Sequence, residues 1–231
     1  MNNTHEDLYS ELNETVLNLL SLIKIEDYVE IREIYKSSYK SPELQTIKYQ
    51  ICNCIIMGFH IAAITLTNHL LEKFLKISLI YNDGKKDKDN LDKPFSLTQS
   101  IERSNKKYDD KNLYDNIISA FEEKLIDETQ KQTLINMKDF FRNPYSHSDR
   151  GKMYGGSTVG ITEVRGIEEV MKILEGKEEE LPKKQEKLEN LPFADFKFIH
   201  DFASDDCIPY LLELDKIIHC VEKILYPKTR E

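Results

Sequence analysis

The chain has 231 residues, 40% of them hydrophobic and 32% charged, with 8 Gly, 7 Pro and a formal net charge of −9. That length suits one embellished domain with a sizeable core, and the composition lies toward helix-rich globular sequences rather than disorder. So negative a balance argues against a protein that coats nucleic acid through a broad basic face, because such binding rests on many Lys and Arg contacts to phosphates. From Glu6 to about Ile25 apolar residues recur at Leu8, Leu12, Val16, Leu19, Leu20 and Ile23, the three-and-four spacing of an amphipathic helix. A second periodic run begins after Ser41-Pro42 and passes through Ile47, Ile51, Cys54, Ile55, Ala62, Leu66, Leu70, Phe74 and Ile77. Glu72 and Lys76 are spaced there for a pair at i and i+4, and Gly58 is placed to bend or divide the run. The polar stretch from Asn82 to Asn90 has turn chemistry, both charge signs and no apolar anchor, so it reads as a solvated loop.

Phe95 to about Lys106 and Asn112 to Leu125 read as shorter helices, and Asp127 to Arg142 as a longer one with Leu134, Met137 and Phe141 on one face. Residues 151–166 hold five of the eight glycines, with Gly155-Gly156 between short flanking runs, which fits a small hairpin or loop insertion. The run from Glu175 to Glu189 contains six Glu and four Lys and fits a solvated helix or linker. A last amphipathic helix is expected over Asp205 to Leu225, through Ile208, Leu211, Leu212, Ile218, Val221 and Leu225.

No stretch reaches the roughly 18 uninterrupted apolar residues of a membrane span, and the first residues, Met1 to Asp7, lack the basic and apolar parts of a secretory signal. The expectation is a cytosolic chain without a membrane partner. Cys52, Cys54, Cys207 and Cys220 form no C-x-x-C pair and read as reduced core thiols. His60 and His69 are nine residues apart and fall on nearly opposite faces of one helix, which disfavours a shared metal; His200 and His219 show no ligand spacing. Glycine-rich nucleotide fingerprints, a P-loop and a G-x-S-x-G elbow are absent. The expectation is therefore no metal and no cofactor.

Charge is uneven. Residues 1–30 hold seven acids against the single base Lys24, whereas residues 131–152 hold Lys131, Lys138, Arg142, Arg150 and Lys152 against Asp139 and Asp149. Within that basic stretch the chain reads Phe140-Phe141-Arg142-Asn143-Pro144-Tyr145-Ser146-His147. An unbroken α-helix would set Arg142 and His147 about 140° apart, too divergent to meet on one substrate. Pro144 cannot donate to the carbonyl of Phe140 and pushes Asn143 away from helical angles, so a kink here would bring the two side chains round toward each other. A guanidinium offers a planar, permanently charged fork to phosphate oxygens, and an imidazole exchanges a proton near neutral pH. A structural fate is also open to both: Arg142 paired with Asp139, and His147 capping the helix end.

Arg142-Asn143-Pro144-Tyr145-Ser146-His147 resembles the R-x4-6-H signature of HEPN domains, including the polar residue that follows the arginine. Ala62 to Lys76 is loosely similar to the long helix of that family. The resemblance covers about residues 43–150. It implies an all-α fold, a four-helix bundle with additional helices, formed by a single domain over residues 1–231. Its core would be residues 43–150 plus 205–226, with the N-terminal helix 5–25 and the insertion 151–200 as embellishments. It also implies a homodimer with a groove between protomers and endoribonuclease activity without metal, in a toxin or antiviral defence effector partnered by RNA and held by an antitoxin or regulatory protein. Carried over by position, Arg142 binds the scissile phosphate, His147 moves protons as the ribose 2′-hydroxyl attacks, and Asn143 supports them. By their own chemistry, the basic Lys138, Arg150 and Lys152 would hold RNA, and Tyr145 would either stack on a base or pack against the bundle. Some members of that family are non-catalytic modules that bind a partner protein or nucleotide, which is the alternative reading.

Overall fold

The computed structural model describes residue 13 and residues 23–89, 97–142, 158–162, 183–187 and 194–227. These are mostly helical, in agreement with the all-α expectation. Chain order is α1 (Ile25–Lys36), α2 (Pro42–Ile56), α3 (His60–Asp89), α4 (Leu97–Asp109), α5 (Leu113–Glu122), α6 (Glu128–Met137), a π-helical turn (Lys138–Arg142), strands β1 (Thr158–Thr162) and β2 (Lys183–Lys187), and α7 (Ala194–Leu225).

Local chemistry sets the boundaries. Pro42 opens α2 at the position where a missing N–H costs nothing. The second periodic run is divided at Gly58, as its place in the sequence suggested. Gly58 has φ +74°, its N–H donates to the carbonyl of Ile55 at 2.9 Å, and the N–H of Phe59 donates to Cys54 at 2.7 Å. This is a Schellman ending, which needs a left-handed residue and favours glycine. Asn112 caps α5 by accepting from the backbone of Asp115, and Asp127 and Gln130 form a reciprocal capping box at the start of α6.

The core lies where α3 packs against α2 on one side and α7 on the other. Ile51, Ile55, Ile64, Leu70, Leu71, Phe74, Leu211, Leu214 and Ile218 are among its buried residues. Such a run of branched and aromatic side chains, each stabilising by about 1.5–3 kcal/mol on full burial, supplies the drive for helix packing.

Several expectations are corrected. Residues 25–36, for which no separate element was expected, form α1, anchored by the buried Ile31 and Ile34. The expected N-terminal helix over 5–25 falls mostly outside the described residues; residue 13 is helical, Ile23 and Lys24 are not, and Ile25 opens α1. The stretch Asn82–Asn90 is not a loop through Asp89, because α3 continues to that residue. Turn chemistry is overridden there by tertiary partners. Asn82 donates to Glu123 at 3.0 Å, Asp83 accepts from Lys107 at 3.0 Å and from the Tyr108 hydroxyl at 3.1 Å, and Lys86 and Asp87 pair with Glu123 and Arg103. Gly84, about 1 kcal/mol worse than Ala in a helix interior, is carried by that network.

The last helix begins at Ala194 rather than Asp205 and runs through Pro209. The hairpin expected within 151–166 is also corrected. β1 pairs antiparallel with β2, Thr158 opposite Lys187 and Thr162 opposite Lys183, so its partner comes from the Glu/Lys-rich run that read as helix or linker. β2 reads Lys-Lys-Gln-Glu-Lys and carries no apolar alternation, the usual sequence signal of a strand; backbone pairing makes the ladder.

Candidate functional site

Arg142 closes the π-helical turn that follows α6. The sequence predicted one α-helix from Asp127 to Arg142 with a kink at Pro144; instead the α-helical register ends at Met137 and the wider register occupies Lys138–Arg142. Single π turns inside helices occur frequently at functional sites because they redirect the side chains that follow. Pro144 has no N–H for the carbonyl of Phe140, so an α-helical register through this region would leave that acceptor unmatched.

The turn packs against α3. Arg142 Nε donates to Glu72 Oε1 at 3.1 Å, and both side chains are about one-third exposed. Beside it the Phe141 ring stacks on Tyr210 of α7, with centroids 4.4 Å apart and planes 16° from parallel. Tyr210 is 1% exposed, and its hydroxyl donates to Asn68 Oδ1 at 2.9 Å. Burial above all, and then the nearby Glu72 charge, raise the Tyr210 hydroxyl well above its ordinary value, so it remains a donor. The other end of the Asn68 amide, Nδ2, is buried without a hydrogen-bond partner among the described residues.

Three elements therefore meet at this turn: α3 through Glu72 on Arg142, α7 through Tyr210 on Phe141 with Asn68 of α3 bonding Tyr210, and the π turn itself. Phe140 is left 66% exposed in the same turn. Lys138 pairs with Asp139 at 2.6 Å and lies 5.8 Å from the centroid of the half-exposed Tyr114 ring. Of the expected site residues, Arg142 and Lys138 are thus together on one turn. Asn143, Tyr145, His147, Arg150 and Lys152 lie outside the described residues.

Glu72, Asn68 and Tyr210 were not singled out by sequence as partners of Arg142. Glu72 was read as a partner of Lys76, but Lys76 is placed near Asp109, 3.4 Å away, and Glu72 turns to Arg142 seventy residues downstream. No periodicity announces a contact across that separation, and Asn68 and Tyr210 are ordinary residues of amphipathic runs.

His60 is buried 3.1 Å from Asp27, and His69 is exposed on the far side of α3. Among the described residues, no group of three His, Cys, Asp or Glu side chains is arranged to hold a metal ion, and no helix is long and apolar enough to cross a membrane. Cys52 and Cys207 are core thiols, whereas Cys54 is half-buried and Cys220 is exposed, which corrects the expectation of four core positions. A cleft of about 750 Å³ is lined by Phe121, Leu125, Ile126, Cys220 and Ile224 among others; Arg142 and Lys138 are not among the described residues that line it. No protein-family model, no curated protein and no solved structure matches this chain.

Proposed function

We propose that the protein is a HEPN-type endoribonuclease that cleaves RNA by 2′-hydroxyl attack without a metal ion, acting as a toxin or antiviral defence effector. The observation that carries the reading is Arg142, braced by Glu72 at the end of a helix-terminal π turn and immediately ahead of Asn143 and His147 in the sequence. A guanidinium has five N–H donors. One bond to a carboxylate is compatible with a second, bidentate contact to a phosphate.

In the proposed reaction the ribose 2′-oxygen attacks phosphorus and the bond to the 5′-oxygen breaks. Arg142 stabilises charge that accumulates on the non-bridging oxygens, and His147 takes or returns the proton. One protomer supplies one clamp and one proton carrier, whereas attack and departure each benefit from a proton carrier. A two-fold dimer would supply both and would double the local basic charge of an otherwise acidic chain.

A second reading, a non-catalytic helical module that binds a partner protein or nucleotide, is favoured by one feature. The pairing of Arg142 with Glu72 and of Lys138 with Asp139 neutralises two of the cations that would meet RNA. The experiment that separates the two incubates purified protein with total RNA beside Arg142→Ala and His147→Ala. The nuclease reading expects cleavage by the parent protein and a loss of about two to four orders of magnitude in His147→Ala, with helicity unchanged. Activity that survives in both variants would remove the mechanism, and a parent protein inert toward varied RNAs but retained by a partner would establish the second reading.

A further inference from the structure

The contacts around Arg142 close on themselves. Arg142 bonds Glu72; Asn68 lies one helical turn before Glu72 on the same helix, the spacing that brings side chains onto one face. Asn68 accepts from Tyr210, Tyr210 stacks on Phe141, and Phe141 adjoins Arg142 in the chain. Three separate elements, α3, α7 and the π turn, are thereby tied into one ring with the guanidinium on it.

The ring has a soft side and a hard side. Arg142 and Glu72 are partly exposed, and an exposed ion pair fixes little by itself. Tyr210 cannot swing, because it is enclosed by the core and its hydroxyl is engaged by Asn68. A π turn is a rare register and needs tertiary support; the face of a fixed aromatic ring against Phe141 provides it. Without the stack, the turn is free to relax toward the α register of the preceding helix. Each residue would then rotate about the axis, and Arg142 would leave Glu72.

We infer that Tyr210, enclosed by the core, is a positioning residue that sets the direction of Arg142 through the ring of Phe141. This rests on the nuclease reading only for its catalytic consequence; the positioning itself is measurable without RNA. The Arg142 Nε–H, hydrogen-bonded to Glu72, exchanges with solvent at a rate that NMR of the full chain can follow. Tyr210→Leu, which keeps an apolar core side chain but removes the stacking face, is expected to speed that exchange by about tenfold, the scale of one aromatic pair. Tyr210→Phe keeps the face and should stay within about threefold of the parent on the same scale.

Where RNA is cleaved, Tyr210→Leu should lower kcat by about a hundredfold, as small misplacements of catalytic groups do, with KM little changed. Should Tyr210→Leu fail to fold, Phe141→Leu removes the same stack from its half-exposed side and carries the same expectation. Unchanged Arg142 exchange in the folded Leu variant, or equal acceleration in the Phe and Leu variants, overturns the inference. A parent protein that cleaves no RNA while the exchange pattern holds overturns the nuclease reading and leaves the positioning role standing.

Discussion

At the scale of single residues, burial separates side chains that look alike in the sequence. Burial pushes the thiols of Cys52 and Cys207 up to about 12 from an ordinary 9.0, with Lys48 partly opposing the shift at Cys52. Alkylation of the native protein should therefore label Cys220 first and leave Cys52 and Cys207 untouched, as peptide mass spectrometry would report; prompt labelling of Cys207 would show that the core is not closed as described. The same shifts predict alkaline sensitivity. A thiol held protonated by folding contributes stability that is complete below its unfolded value and is lost as pH rises toward its folded one. Thermal melting points should thus decline from about pH 9 toward about pH 12, and Cys52→Ala should flatten that decline; a slope that the substitution leaves unchanged would assign the effect elsewhere. Sequence could place Cys52 inside an apolar run, but not foresee that Cys220, on a helix of similar pattern, faces out. The phase of an amphipathic helix is legible at its centre and ambiguous along its flanks.

At the scale of elements, strong local chemistry was legible and long-range partnership was not. Pro42, Asn112 and Asp127 mark helix starts that can be read directly, and Gly58 marks an ending. Asp127→Ala removes a reciprocal cap and should cost about 1 kcal/mol, a melting point lower by about 2–4 °C for a chain of this size. No change would mean that α6 is held by packing alone. Gly58→Ala places a side chain at φ +74° and within 3.3 Å of the Lys24 side chain, so it should destabilise by about 1–2 kcal/mol in urea unfolding, whereas a neutral result would contradict the Schellman ending. The misread elements share a cause. Residues 82–89 are helical because α4 and α5 supply partners, and β2 is a strand because β1 supplies a ladder; neither signal lies within the segment itself. The π turn belongs with these, since its support comes from Tyr210, far along the chain.

At the scale of the whole molecule, the helical bundle brings α3 and α7 to the turn that carries Arg142, where Glu72 bonds the guanidinium and Tyr210 stacks on the neighbouring Phe141; the phosphate clamp is the role we propose for that arginine. Of this, the all-α setting was legible beforehand. The residues of the motif and the helical setting came from pattern and resemblance, whereas the brace of Glu72, Asn68 and Tyr210 required the fold, because only packing brings α3 and α7 to the end of α6. The claim is tested most directly by the ends it leaves on RNA. Products made by the purified parent protein in excess chelator should carry 2′,3′-cyclic phosphate and 5′-hydroxyl termini and should be missing with Arg142→Ala; 5′-phosphate termini, or cleavage that appears only when Mg²⁺ is restored and persists in Arg142→Ala, would contradict it.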